Sequence, residues 1–97
     1  MEGNQRRVRW EEIEKGLGSV GRIRMLREMI ERSDEFFTKY ALERRTGLKP
    51  VDVRSNLEVL RELGWVKEYR YDPRTYKVNA GSEAIRLIAE FFHRIPG

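Results

Sequence analysis

Residues 38–66 carry the pattern that most restricts how this chain can fold. Four apolar residues in the second half of the stretch recur at the spacing of one helix face, namely Val53, Leu57, Leu60 and Leu63. Gly47 stands where a preceding short helix must end, because glycine readily adopts a positive φ. Pro50 suits the first turn of the following helix, and Gly64 its end. The stretch therefore predicts two short helices joined by a tight turn, which is a helix-turn-helix.

Two more helices are predicted before this motif. Ser19 is a suitable N-cap for a helix over 20–32, whose apolar positions 23, 26 and 30 form one stripe, with Met25 off that stripe. Trp10, Ile13 and Leu17 have the same spacing, which predicts a short amphipathic helix over 10–16. Residues 35–37 are too few to assign by periodicity, and they are compatible with one edge strand of a small sheet.

After Gly64 the sequence changes to residues that favour strands. These residues are Trp65, Val66, Tyr69, Tyr71, Tyr76 and Val78. Asp72 and Pro73 suit the first two positions of a type I turn over 72–75. We therefore predict a β-hairpin with strands over 66–71 and 76–79. Ser82 then caps a final helix that ends near residue 95.

The final helix carries more apolar residues than one buried stripe requires. They are Ala84, Ile85, Leu87, Ile88, Ala89, Phe91, Phe92 and Ile95. A terminal helix of a small domain can bury one such stripe against its own core, which leaves the rest exposed. A dimer interface formed with the helix over 10–16 explains the excess. Its predicted residues are Trp10, Ile13, Leu17, Leu87, Phe91, Phe92 and Ile95.

The positive charge is concentrated around the helix-turn-helix and the hairpin. The 97 residues have a net charge of +4, of which residues 38–49 contribute +3 and residues 65–80 contribute +2, whereas residues 50–64 sum to −1. Such a localised excess is typical of a nucleic-acid-binding surface. Residues 1–9 are basic and polar, and we expect a flexible arm there. A solvated chain end explains this arm more simply than contact with a DNA minor groove.

Several classes of function lack the residues that they require. The chain has no cysteine, so it can form neither a disulfide nor a thiolate metal site, which suits a cytoplasmic protein. No apolar run is long enough to span a membrane. His93 is the only histidine and has no second ligand nearby in sequence, so we predict no metal, no cofactor and no enzymatic activity. Arginine outnumbers lysine 15 to 5, a bias compatible with a thermophilic source.

Three segments carry a resemblance to a known group of proteins. They are Gly18 to Arg24 (GSVGRIR), Thr46 to Pro50 (TGLKP) and Leu57 to Val66 (LEVLRELGWV). Together with the element order, they resemble small archaeal and bacterial transcription regulators of the MarR/ArsR-like winged-helix group. The resemblance covers roughly residues 18–95 and implies an α+β winged helix-turn-helix, with a three-helix core, a hairpin wing and extra terminal helices. One departure is that Lys49-Pro50-Val51-Asp52 replaces the usual Ser/Thr-rich start of the recognition helix.

The resemblance also implies which residues would face duplex DNA. The exposed face of the recognition helix corresponds to Lys49, Val51, Asp52, Arg54, Ser55 and Glu58. Around the turn and in the wing, the candidate phosphate contacts are Lys39, Arg44, Arg45, Arg70, Arg74 and Lys77. Arg54 suits a bidentate contact to guanine, or alternatively a surface pair with Glu58 one turn later. Asp52 favours the helix dipole and would repel phosphates.

The sequence thus predicts a single winged-helix domain over 10–97 that binds double-stranded DNA as a homodimeric transcriptional regulator. A second hypothesis is a winged helix that binds protein within a transcription or other multi-subunit assembly, which the −1 charge of residues 50–64 would suit. A third is binding of RNA or single-stranded DNA through the tyrosine-rich hairpin. Cross-strand packing is the more common role of such tyrosines. No effector ligand can be assigned.

Overall fold

The computed structural model describes residues 8–97, and most of the arm predicted over 1–9 lies outside this range. Within it, five helices and one β-hairpin follow each other along the chain. They are α1 (Trp10–Gly16), α2 (Val20–Glu31), α3 (Lys39–Thr46), α4 (Pro50–Glu62), β1 (Val66–Tyr69), β2 (Thr75–Val78) and α5 (Glu83–His93). The predicted element order is confirmed. No helix in the described range combines the length and apolar character that a membrane span needs.

Local capping chemistry determines where the helices begin. The side chains of Ser19, Thr38 and Ser82 each accept a hydrogen bond from the backbone N–H three residues further on, at 3.0, 3.0 and 3.2 Å. Pro50 occupies the first turn of α4, where its missing N–H leaves no bond unmade. Gly47 ends α3 with φ at 77°, in the left-handed region that glycine adopts without strain.

The core lies between α2, α4, the hairpin and the inner face of α5. It consists of Met25, Leu26, Met29, Ile30, Phe37, Leu42, Val53, Leu57, Leu60, Trp65, Val66, Tyr76, Val78, Ala84, Ile85 and Ile88. The expectation for α2 was wrong at Ile23, which is exposed, whereas Met25, which lies off the predicted stripe, is fully buried. Helix α2 packs against α3, α4, β2 and α5. These neighbours cover the face of α2 that carries residues 25, 26, 29 and 30, and position 23 lies at the edge of that face.

Helix α1 is attached to the core through Trp65. This indole is fully buried, and its Nε1–H donates to the Glu12 carboxylate at 2.6 Å. Gly16 lies against the ring so closely that a Cβ on this residue would sit 2.1 Å from two ring carbons. Ile13 and Leu17 pack against the core and are half-buried, whereas Trp10 remains 77% exposed. Part of the apolar face of α1 is therefore buried against the core of its own chain.

The hairpin is shorter than predicted and is extended on one side by the 35–37 segment. Its antiparallel register runs from Val66 opposite Val78 to Tyr69 opposite Thr75. Residues 70–74 connect the strands, so the first strand ends two residues earlier and the second begins one residue earlier than predicted. Phe37 exchanges two backbone hydrogen bonds with Tyr76, each 2.8 Å long. The predicted edge strand is thus a single bridge next to β2.

Candidate nucleic-acid interface

Helix α4 is buried on one face and exposed on the opposite one. Val53, Asn56, Leu57 and Leu60 are its buried residues. The exposed face carries the residues that the sequence assigned to it, namely Lys49, Val51, Asp52, Arg54, Ser55 and Glu58. Since a helix rotates about 100° per residue, the positions between the buried ones must project away from the core. The face is therefore accessible along its whole length.

One groove runs between this exposed face and the hairpin. Its volume is about 260 Å³, and it is lined by Lys39, Arg54, Leu57, Glu58, Arg61, Glu68, Arg70, Arg74 and Tyr76. Five cationic side chains thus face two carboxylates. The structure brings Lys39, Arg54 and Glu58 together with the wing arginines 70 and 74, although these residues come from three separate parts of the chain. This convergence supplies the positive charge that α4 alone lacks.

Arg54 and Lys39 are the two cationic side chains of the groove that form no ion pair or side-chain hydrogen bond within residues 8–97. The alternative pairing with Glu58 does not form, because Glu58 instead accepts a hydrogen bond from Arg61 at 2.6 Å. That hydrogen bond lowers the pKa of Glu58 below its ordinary value. Among residues 8–97, Arg54 has neither a hydrogen-bond nor an ion-pair partner. Arg61 was not among the predicted site residues.

Glu68 organises the hairpin side of the groove, and sequence reasoning missed it. Its largely buried carboxylate lies 3.8 Å from Arg70 and 3.4 Å from Arg74. It also accepts a hydrogen bond from the Tyr76 hydroxyl at 3.3 Å. Burial, followed by the negative charge of Glu68, raises the pKa of Tyr76 above its ordinary value, so the hydroxyl keeps its proton. Because side chains alternate between the two faces of a strand, Glu68 lies on the same inner face as buried Val66. This alternation is the sequence signal that could have identified Glu68.

Four basic residues of the predicted set do not line the groove, namely Lys49 and three residues that make contacts within the chain. Arg45 pairs with Glu28 at 3.8 Å and Glu35 at 3.5 Å, and it covers the Phe37 ring. Arg44 donates to the Tyr40 hydroxyl at 2.9 Å. The Lys77 ammonium lies over the Phe36 ring, 4.7 Å from its centroid. These contacts give each of the three side chains a role within the chain itself.

A buried polar contact fixes α2 against α4. Asn56 is buried, and its amide oxygen accepts a hydrogen bond from Arg22 Nη1 at 3.0 Å. Gly21 makes this approach possible, since a Cβ there would lie 2.8 Å from the Asn56 amide nitrogen. Sequence reasoning did not identify Asn56, because its position on the inner face depends on which residues of α2 lie opposite it. The contact holds α4 in place below the groove.

Comparison with known proteins identifies the architecture. No family model matches the chain, and no curated protein matches it. Among solved structures, it is similar to the transcriptional repressor BigR from Xylella fastidiosa, with a TM-score of 0.72 and 22% sequence identity over 90% of this chain and 86% of that one. The fold is a winged helix. In this winged-helix chain, α4 is the second helix of the helix-turn-helix, and the β1–β2 hairpin is the wing.

The winged-helix domain also exposes an apolar stripe on α5. Ala84, Ile85 and Ile88 face the core, whereas Leu87 and Phe91 on α5 and Ile95 just beyond its end are exposed. Of the residues predicted for a dimer interface, Trp10, Leu87, Phe91 and Ile95 are exposed. Ile13, Leu17 and Phe92 are half-buried against the core of their own chain. Residues 8–97 contain no cluster of three side chains that could hold a metal ion.

Proposed function

We propose that this chain binds double-stranded DNA as a homodimeric transcriptional regulator of the MarR/ArsR-like kind. The observation that carries the proposal is the groove between α4 and the wing, where five cationic side chains outnumber two carboxylates and Arg54 has no partner. A positive concave surface beside an exposed helix matches the backbone and major groove of a duplex. The similar solved structure is that of a transcriptional repressor, which is in line with this role.

The side chains divide by the part of the DNA that they would contact. Arg54 and Ser55 project from the middle of the exposed face, where they can reach base edges, and exposed Val51 can contact a thymine methyl group. Lys39 and Lys49 flank the turn, and Arg70 and Arg74 extend from the wing, so these four would bind phosphates. Asp52, in the first turn of α4, favours the helix dipole. Recognition would thus combine one base-reading helix with phosphate contacts on both sides.

Titration of labelled duplex DNA across a salt series tests the proposal. Four phosphate contacts per protomer give about eight per dimer, so log K should fall with log salt at a slope of roughly −7. Measurement by fluorescence anisotropy gives both the affinity and the slope. Negligible binding at low salt, or binding that does not change with salt, would count against a DNA regulator. Co-purification with a larger partner would then favour the protein-interaction module.

The homodimer is proposed to form through the exposed stripe of α5 together with Trp10. We expect Phe91→Arg to convert the protein from dimer to monomer, because a charge would then be buried in an apolar interface. His93→Arg is the matched control, since it places the same side chain on the exposed polar face of the same helix. Sedimentation velocity distinguishes the two species. A wild-type monomer, or a Phe91→Arg variant that remains dimeric, would contradict this interface.

A twofold dimer also restricts the spacing between its two half-sites on the DNA. Its two recognition helices would enter successive major grooves, so the half-sites should be separated by about 34 Å or a multiple of it. Selection of binding sequences from a random pool would show this spacing as a repeat of two inverted motifs. The same selection would identify the bases that Arg54 and its neighbours read.

A further inference from the structure

The two faces of the wing carry different chemistry. Because successive residues of a strand point to opposite sides, Glu68 and Tyr76 face the groove and core, whereas Lys67, Tyr69 and Lys77 face outward. The tyrosines of the hairpin therefore do not share one role. Tyr76 is buried, Tyr69 is half-buried, and Tyr71 is 66% exposed in the connection between the strands. The outward face plays no part in the proposed duplex contacts.

Three aromatic rings form a continuous surface on that outward face. We call Phe36, Tyr69 and Tyr71 the aromatic platform. The Phe36 and Tyr69 rings meet edge to face with centroids 5.0 Å apart, and the Tyr69 and Tyr71 rings stack at 6.1 Å with an angle of 21° between them. Phe36 is 46% exposed and Tyr71 is more so. The Lys77 ammonium lies over the Phe36 ring, 4.7 Å from its centroid, so Tyr71 is the ring of the platform that is most open to solvent.

Two lysines give the platform a positive charge that the chain itself does not neutralise. Lys67 and Lys77 are directly opposite each other across β1 and β2, so their side chains lie on the same face. Like charges in this arrangement destabilise a sheet unless an anion lies between or beside them. Within the described range, neither lysine forms an ion pair with an acidic residue. A polyanion that also carries flat rings would complement both the lysines and the platform.

We propose that the aromatic platform is a second nucleic-acid site, which binds unpaired nucleotides of single-stranded DNA or RNA. Bases stack on the exposed ring of Tyr71 and on its neighbours, and Lys67 and Lys77 hold the adjacent phosphates. Base stacking on aromatic side chains tolerates any sequence, because every base has a π-face. The site lies on the opposite side of the wing from the groove that contains Arg54. It therefore does not rest on the proposed duplex binding.

Titration of the full chain with fluorescent oligo(dT) and oligo(rU) tests this site. Loss of one stacking partner should weaken binding, so Tyr71→Ala is expected to lower the affinity about fivefold or more. Tyr71→Phe should retain wild-type affinity, since stacking needs the ring and not the hydroxyl. Tyr40→Ala is the matched control, because Tyr40 is 63% exposed but lies on α3, away from the platform. The dT and rU arms show whether DNA or RNA is the better ligand.

Distinct outcomes would overturn the proposal. Oligonucleotide binding that is absent, that is unchanged in Tyr71→Ala, or that falls equally in Tyr40→Ala would exclude the platform as a base-stacking site. A Tyr71→Ala variant that changes the oligomeric state but not oligonucleotide affinity would assign this face to protein association instead. Arg54→Glu separates the two proposals, since it should weaken duplex binding and leave binding of unpaired strands within about twofold of wild type.

Discussion

Replacement of Trp65 by alanine is expected to lower the free energy of unfolding by about 3–5 kcal/mol. The indole is fully buried between the hairpin and α1, so its removal leaves a cavity that the surrounding elements cannot fill without moving. It also removes the hydrogen bond to Glu12 and the ring against which Gly16 packs. We expect α1 to detach from the core in this variant, which urea denaturation followed by circular dichroism would measure.

Trp10→Ala is the matched control for this prediction, because Trp10 and Trp65 are the only tryptophans of the chain. Trp10 is 77% exposed, so its removal should change the stability of the protomer by no more than about 0.5 kcal/mol. Measurements at several protein concentrations separate this value from any contribution of Trp10 to dimerisation. If the two variants lose the same free energy of unfolding at the lowest protein concentration, the burial of Trp65 does not make it more important for stability than Trp10.

Reversal of charge at Arg54 is expected to have the largest effect on DNA binding. Arg54→Glu removes a base or phosphate contact worth about 1–3 kcal/mol and places a carboxylate beside the DNA. A dimer loses two such contacts, so the affinity for duplex DNA should fall about thirtyfold or more. Anisotropy titrations of wild type and variant at one salt concentration would measure the change. The fold should survive, since Arg54 is exposed and has no partner within residues 8–97.

Arg86→Glu controls for the change in net charge. Arg86 lies on the exposed polar face of α5, outside the groove, and within residues 8–97 its side chain pairs with Glu83 of the same helix at 3.4 Å. Its reversal gives the same net charge as Arg54→Glu and should weaken duplex binding less than threefold. If both variants lose the same affinity, binding depends on the overall charge of the protein and not on α4. If neither loses affinity, α4 is not the recognition helix.

Together, the Arg54 and platform experiments address each surface of the wing separately. The groove faces α4 and contains the arginines held by Glu68, whereas the outward face carries the aromatic rings and the lysine pair. A protein that uses both surfaces would lose duplex affinity in Arg54→Glu and single-strand affinity in Tyr71→Ala. Each variant would leave the other activity in place. This separation follows from the alternation of side chains along a β-strand.

Much of the fold was predictable because its signals are local. The caps at Ser19 and Ser82 and the positive φ of Gly47 depend on chemistry within a few residues, and each lies where the sequence placed it. The exposed face of α4 was predictable for a similar reason, since the period of a helix relates its buried positions to its exposed ones.

Contacts between distant segments could not be predicted in the same way. Rotamers and neighbours from other elements decide which arginine, Arg54 or Arg61, pairs with Glu58. They also decide whether Arg45 faces the groove or Glu28. The fully buried Met25 and the exposed Ile23 follow from the several elements that surround α2.

The sequence by itself determined the order of the elements, where the helices begin, and the concentration of positive charge around the helix-turn-helix and the hairpin. Only the tertiary structure decided which of those charges meet in one groove, that Glu68 holds the wing arginines there, and that Tyr71 lies apart from Tyr76. The physical reason is that capping and periodicity act within a few residues of the chain. Burial and ion pairing depend instead on surfaces that exist only after α2, α4 and the wing have packed together.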